Sequence, residues 1–257
     1  MDIEACLSRR FTRCREVRIW ALLALAVTGV ARASDNPGYD RPGLGFTPAV
    51  LQAGDITFEQ GLPDWGEAGG ASLYTADSVL RLGVGGPFEL QFGTSYNRLS
   101  MAGQNMWGRG DSSLGLKFAP PASGDFSWGL LSSVTFTDGA RAFRDDDSKY
   151  LLGATFNWQI NLRDALGAYV ETVLHGRRDD QLVVFNAGRN LSDSLGAYVE
   201  IAWQHQAGAG NGSMAGAGLA WRVTPRVQLD GSFRHRLGGE ADTWEAGLGV
   251  SVYFGRP

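Results

Sequence analysis

Only two cysteines occur in the 257-residue chain, Cys6 and Cys14. Both lie in an N-terminal stretch with the three parts of an export signal. Arg9, Arg10, Arg13, Arg15 and Arg18 form a basic region, residues 19–30 are an apolar run, and Ala31-Arg32-Ala33 is a cleavage site before Ser34. Cleavage there leaves a chain without a thiol, which excludes disulfides, thiolate metal sites and cysteine nucleophiles. Long hydrophobic runs are missing as well. The signal's run falls short of the roughly 20 residues a spanning helix needs, and nothing after Ser34 approaches that length. A transmembrane helix is thereby excluded, but a transmembrane strand is not, because it takes ~9–11 residues of which only alternate ones must be apolar. Basic charge is scarce too. Six of the 23 Lys and Arg and three of the 27 Asp and Glu precede Ser34, leaving 17 basic against 24 acidic residues, a formal net charge of −7. With no basic patch interleaved with aromatics, nucleic acid is not an expected partner.

Glycine, by contrast, is abundant at 36 residues, against an average usage of about 7%. So is alternation. Leu162–Glu171 (LRDALGAYVE) returns 29 residues later as Leu191–Glu200 (LSDSLGAYVE), the length of one β-hairpin with its connections, and Val223–Phe233 is a third echo. Trp244, Ala246, Leu248, Val250, Val252 and Phe254 share one face of the last segment, with Glu245, Gly247, Gly249, Ser251 and Tyr253 on the other. Phe88–Asn97 and Leu195–Gln204 alternate in the same way. This is the period of a strand, not of a helix.

Twelve strands are predicted, near 52–61, 76–84, 88–98, 109–118, 125–136, 148–159, 165–174, 182–190, 195–204, 214–222, 226–235 and 243–254. Short connections at 85–87, 120–124, 160–164, 191–194 and 224–225 alternate with longer polar ones at 63–75, 99–108, 137–147, 175–181, 205–213 and 237–242. Short turns on one rim and long loops on the other fit an all-β, transmembrane, antiparallel up-and-down barrel with both termini periplasmic. Trp128, Trp158, Trp203, Trp221 and Trp244 fall near strand ends on the apolar face, where a lipid–water girdle would place them. A secreted sandwich or lipocalin-like barrel would alternate too. Strand lengths near ten, aromatic strand ends and the terminal Gly247–Phe254 favour the outer membrane of a Gram-negative bacterium. The expected division is a signal peptide over 1–33, a periplasmic or lumenal leader over 34–50 and a barrel over 51–257.

Several stretches then match a known family together: Asp40–Leu62, Val79–Gly93 (VLRLGVGGPFELQFG), Gly108–Phe118 (GRGDSSLGLKF), the two Gly-Ala-Tyr-Val-Glu segments, Val227–Phe233 and GLGVSVYF. Running in order over almost the whole mature chain, they resemble the outer-membrane transporter family named for the MetA pathway of phenol degradation. The chain departs from the family at Thr137-Asp138-Gly139, where a Pro-x-Gly is usual, and in the three residues after Phe254. The resemblance implies passage of small hydrophobic or aromatic compounds.

Strand parity turns Glu59, Arg81, Glu89, Gln91, Asn97, Lys117, Tyr169, Glu171, Tyr198, Glu200, Asp230, Arg234 and Glu245 inward. A twelve-stranded barrel is wider than the eight-stranded kind that side chains fill and narrower than an open porin. The lumen lining expected to meet cargo is Glu89, Lys117, Tyr169, Glu171, Tyr198, Glu200, Asp230 and Arg234. The same charges can instead pair with one another, Arg81, Lys117 and Arg234 with Glu89, Glu171, Glu200 or Asp230, because an unpartnered confined charge is costly. The repeat places Tyr169/Glu171 and Tyr198/Glu200 at one height about 10 Å apart, with one strand between them. His175, His205 and His235 recur every 30 residues, but the hairpin period produces that spacing and their faces diverge, so neither metal nor other cofactor is expected.

The function expected is a passive channel, not an enzyme, with lipid bilayer, lipopolysaccharide and a small-molecule cargo as partners. The acidic and basic loop runs at 145–147 and 177–180 are the segments that could touch lipopolysaccharide or divalent ions. A structural or adhesive barrel with partner-binding loops is one alternative. A lipid hydrolase is another, although no Ser stands at matching parity and height beside a His.

Overall fold

The computed structural model describes residues 36–255, so the expected export signal and its cleavage site lie outside the described residues. Thirteen strands follow in order: β1 (Ile56–Ala68), β2 (Ala71–Gly85), β3 (Phe88–Met101), β4 (Gln104–Arg109), β5 (Ser113–Phe118), β6 (Phe126–Thr135) and β7 (Lys149–Gln159). They continue with β8 (Asp164–His175), β9 (Arg178–Asn190), β10 (Leu195–Gln206), β11 (Gly210–Thr224), β12 (Val227–Gly239) and β13 (Trp244–Phe254). Neighbours pair antiparallel around the ring, and Ile56 of β1 lies opposite Phe254 of β13, which closes it. The wall is a closed barrel of twelve strands with one strand added. Closure satisfies the backbone groups that an open edge would leave bare in lipid.

The added strand corrects one expectation. Residues 109–118 were expected to form a single fourth strand, but β3 pairs with two separate pieces, β4 along Tyr96–Met101 and β5 along Phe88–Gly93. Only β5 goes on to pair with β6. The break falls at 110–112 because polar groups there bind the long 136–148 loop instead of a ladder. Gly139 donates to Asp111 Oδ1 at 2.6 Å, Asp145 N to Asp111 Oδ2 at 2.9 Å, and Ser112 N to Asp138 Oδ1 at 2.8 Å.

Connection lengths need a second correction. Five of the six long loops expected on one rim are tight turns: 69–70, 102–103, 176–177, 207–209 and 240–243. The strands run through the Gly-rich polar stretches to meet them, and β1 begins at Ile56, not at 52. Ladder hydrogen bonds come from the backbone, so polar side chains on both faces do not end a strand once it has left the apolar belt. Gly69, Gly70 and Gly103, at φ of 57°, 82° and 78°, supply the left-handed backbone that such two-residue hairpins need. Only 136–148 stays long.

Parity holds around the barrel. Leu80, Phe92, Phe156, Val199, Leu219, Phe233 and Leu248 are exposed on the outside, while Glu59, Arg81, Glu89, Lys117 and Ser251 are buried inside. Trp158, Trp203 and Trp221 stand exposed on the outer face as expected. An outward apolar belt around an interior that buries charged side chains is the inverse of a soluble protein, and lipid is the solvent it suits.

Candidate functional site in the barrel lumen

Residues 36–55 run inside the barrel before β1 begins, and they touch walls on opposite sides of it. The first anchor is a buried ion cluster on β1, β2, β3 and β5. Arg81 on β2 reaches Glu59 on β1 through Nη1 at 2.7 Å and Glu89 on β3 through Nε at 2.7 Å. Asp40 of the leader sits among them, 2.9 Å from Lys117 Nζ on β5 and accepting from Gln91 at 3.0 Å. Glu59 also accepts the leader's backbone N–H groups at Asp40 and Arg41, and Glu89 accepts that of Leu51. Arg81, Glu89 and Lys117 have no exposed side-chain surface. Each of these charges is therefore usable only because the others, and the leader's amides, replace its water.

Two further anchors cross to the other side. Arg41 holds Asp64 on β1 at 3.0 Å and Asp230 on β12 at 3.3 Å. Arg234 on β12 binds Glu200 on β10 at 2.6 Å and Glu245 on β13 at 3.4 Å, and it donates with Tyr198 to the carbonyl of Pro42, both at 3.1 Å. Gln228 donates to the carbonyl of Arg41. Where the leader turns into β1 it lies backbone to backbone on β2: a Cβ on Gly83 would overlap the carbonyl oxygen of Gln52.

The remaining wall is different. Inward positions on β6 to β11 carry Leu131, Leu151, Val173, Leu182, Val184, Ala202 and Met214, and the leader contributes Leu44 and Phe46. Phe46 meets Tyr169 of β8 edge-on, ring centroids 5.6 Å apart. Val184 is wholly buried and Ala202 and Met214 nearly so. Around this wall the leader divides free space into separate cavities. One of about 410 Å³ lies on the side of the long loop, with Leu44, Phe46, Asp77, Leu131, Leu151 and Glu171 in its lining. It shares Thr135, Leu151 and Glu171 with a rim cavity of about 330 Å³. The other, about 690 Å³, opens beside the short turns between Pro48, Pro87, Pro120 and Asn157 and is lined without a charged residue.

Every residue expected to face inward does so, yet the partners differ from those expected. Arg81 and Lys117 pair with Glu89, and Arg234 with Glu200, as parity suggested; Asp230 pairs with Arg41 of the leader, and Asp40 completes the Lys117 site. Glu171 forms no ion pair among the described residues and accepts a hydrogen bond from Tyr169. The two Tyr/Glu steps are not side by side. Across the ladders Tyr169 aligns with Val184 and then Ala202, four residues from Tyr198 on β10. The strands of a barrel are staggered, and repeated letters do not carry their register with them. The steps also do different work, since Tyr198 and Glu200 hold leader and Arg234 while Tyr169 and Glu171 border the cavity. The missed residues are Asp40, Arg41 and Phe46, in a stretch without period, and the apolar wall. Leu131, Leu182, Val184 and Met214 sit at inward parity and could have been read from it.

The histidines bond separately, His175 to Asp180, His205 to Asn211 and His235 to the carbonyl of Arg236. Among the described residues no group of three or more His, Cys, Asp or Glu converges as a metal site. In the long loop, hydrogen bonds from the Ser112 hydroxyl and backbone N–H hold the Asp138 carboxyl down to about 2, with Arg109 adding to them.

Solved structures with a similar fold include several outer-membrane channels and porins. The COG4313 outer membrane channel from Pseudomonas putida F1 matches with a TM-score of 0.65 at 13% identity, over 83% of this chain and 99% of that one. The KdgM porin in complex with disordered oligogalacturonate matches with a TM-score of 0.57 at 8% identity, over 78% and 99%. The NanC porin matches with a TM-score of 0.52 at 10% identity, over 78% and 100%. At these identities the likeness establishes the fold, that of an outer-membrane barrel. No curated protein matches the chain in sequence. Residues 39–254, nearly the whole described chain, match the family model "Putative MetA-pathway of phenol degradation", and the chain belongs to that family.

Proposed function

We propose that the protein is a passive outer-membrane channel for small hydrophobic or aromatic compounds. The observation that carries this reading is the apolar inner wall: Leu131, Leu151 and Phe46 border the loop-side cavity and Leu182 the rim cavity next to it, backed by buried Val184 and Met214. An inward leucine offers a sugar or an ion no bond, whereas a poorly soluble ring gains from each one it touches. The lining residues in contact with cargo are then Tyr169 and Glu171, whereas Glu89, Lys117, Tyr198, Glu200, Asp230 and Arg234 act on the leader. Cargo moving between the cavities displaces part of the leader, whose polar anchors exchange for water as it shifts. No catalysis is part of this reading, since each histidine is bonded to a group other than a serine. Apart from the single long loop at 136–148, the two- to four-residue turns at the loop rim offer little surface for an adhesive partner. Export through cleavage near Ala33 and contact of the loop rim with lipopolysaccharide belong to the same reading.

The test is solute flux into liposomes holding the refolded protein. 2-Phenylethanol should enter faster than into protein-free liposomes, with glucose far behind; 2-phenylethanol entering no faster than into protein-free liposomes sinks the proposal.

A further inference from the structure

We infer that the loop-side cavity selects for cargo carrying a positive charge, an aryl or alkyl amine, with Glu171 as the residue that sets the preference. This rests on the channel reading above and narrows its substrate class. The cavity is amphipathic: Leu131, Leu151 and Phe46 form one side, and Glu171 stands where it joins the rim cavity, beside Val173 and Leu182. Most other carboxylates in the lumen meet a cation. Glu59 and Glu89 have Arg81, Glu200 and Glu245 have Arg234, and Asp64 and Asp230 have Arg41. Glu171 has none among the described residues; its partner is the Tyr169 hydroxyl, which can satisfy one of its lone pairs and leaves the others. A carboxylate beside leucines, half-buried and without a counter-ion, favours an ammonium over a carboxylate.

The cations near the cavity are already engaged. Arg41 is committed to Asp64 and Asp230, and Lys149 at the rim to Asp145 at 2.8 Å. Of the other charges facing the space, Glu59 and Asp40 are paired with Arg81 and Lys117, while Asp77, Asp111 and Asp180 are acidic and form no ion pair with Lys or Arg among the described residues. Phe46 already takes a cation on its ring, Lys117 Nζ at 5.2 Å from the centroid. An amine would set its ammonium on Glu171 and its apolar body along Leu131 and Leu151. No bond is made or broken.

Three probes with one ring and different charge test this: 2-phenylethylamine, 2-phenylethanol and phenylacetate, each as flux above protein-free liposomes. Wild type should pass the amine severalfold faster than phenylacetate. Glu171→Gln keeps an acceptor for Tyr169 and removes the charge, so it should lower amine flux about tenfold or more, the lower end of the scale of one charge-assisted hydrogen bond. The loss is read as the ratio of amine to 2-phenylethanol flux, so a general change in conduction cancels, and Glu171→Asp should restore the preference. Phenylacetate matching the amine in wild type overturns the inference, as does an amine preference that survives Glu171→Gln. If 2-phenylethanol enters while charge makes no difference, only this inference falls. If none of the three enters, the channel reading falls and takes it along.

Discussion

The two walls of the lumen are built from the same kind of strand and do opposite jobs. On β1, β2, β3, β5 and β12 the inward positions are charged and spoken for, with Arg81, Lys117 and their acids closing on Asp40 and Arg41. From β6 to β11 they are mostly Leu, Val, Ala and Met, and apart from Tyr198 and Glu200 of β10 they meet the leader only through Leu44 and Phe46. The polar wall is specific, since each charge fits one partner at one distance. The apolar wall is permissive, because dispersion and burial ask only for contact. A chain crossing the lumen is thus gripped on one side and merely accompanied on the other.

The difference can be broken most severely at Arg81. Arg81→Met strands Glu59 and Glu89 without their guanidinium, and removing one partner of a buried ion pair typically costs about 3–5 kcal/mol. Urea unfolding of the refolded protein should show that loss, and protease should cut the leader sooner. Gly83→Ala attacks the same wall by shape. A methyl there pushes the 51–53 turn off β2, an overpacking cost on the order of 1–3 kcal/mol that should appear as hydrogen exchange confined to residues 50–56.

On the apolar wall the effect should fall on traffic instead. Leu151→Asn with Leu182→Asn removes roughly 1 kcal/mol of contact with an apolar solute, about fivefold in 2-phenylethanol flux, and leaves urea stability near that of wild type. The smallest change belongs to the loop, outside both walls. The Asp138 carboxyl titrates below its ordinary value because the folded loop hydrogen-bonds its charged form, so its contribution is full above about pH 4 and is lost as pH falls towards 2. Carboxyl NMR should find that low midpoint, and Ser112→Ala should raise it.

How much of this the residues announced depends on what each wall asks of them. Alternation fixes which side chain faces inward, so Glu89, Lys117, Tyr169 and Arg234 were legible from period two alone. Twelve-strand closure followed from the count. Ion-pair identity was only half legible, because Asp40 and Arg41 come from a segment with no period and reach their partners across 23 to 189 residues of chain. Strand ends were misplaced where polar and glycine residues continue a ladder, as at 63–75. Register between repeats was out of reach. Tyr169 and Tyr198 share five-letter surroundings, but barrel stagger, a property of the whole ring, set one against Phe46 and the other against Pro42.

Arg41 also bears on how such a ring closes. The seam joins Ile56 to Phe254, and the chain entropy lost in bringing such distant segments together grows with the length of the loop between them. Contacts of the leader with β1, β2 and β3 span far fewer residues and can form at smaller entropic cost. A leader already seated on those first strands presents a guanidinium to Asp230 on β12, next to the final strand. The segment that fills the finished lumen is thus also a clasp, holding one end of an unclosed sheet ready for the other.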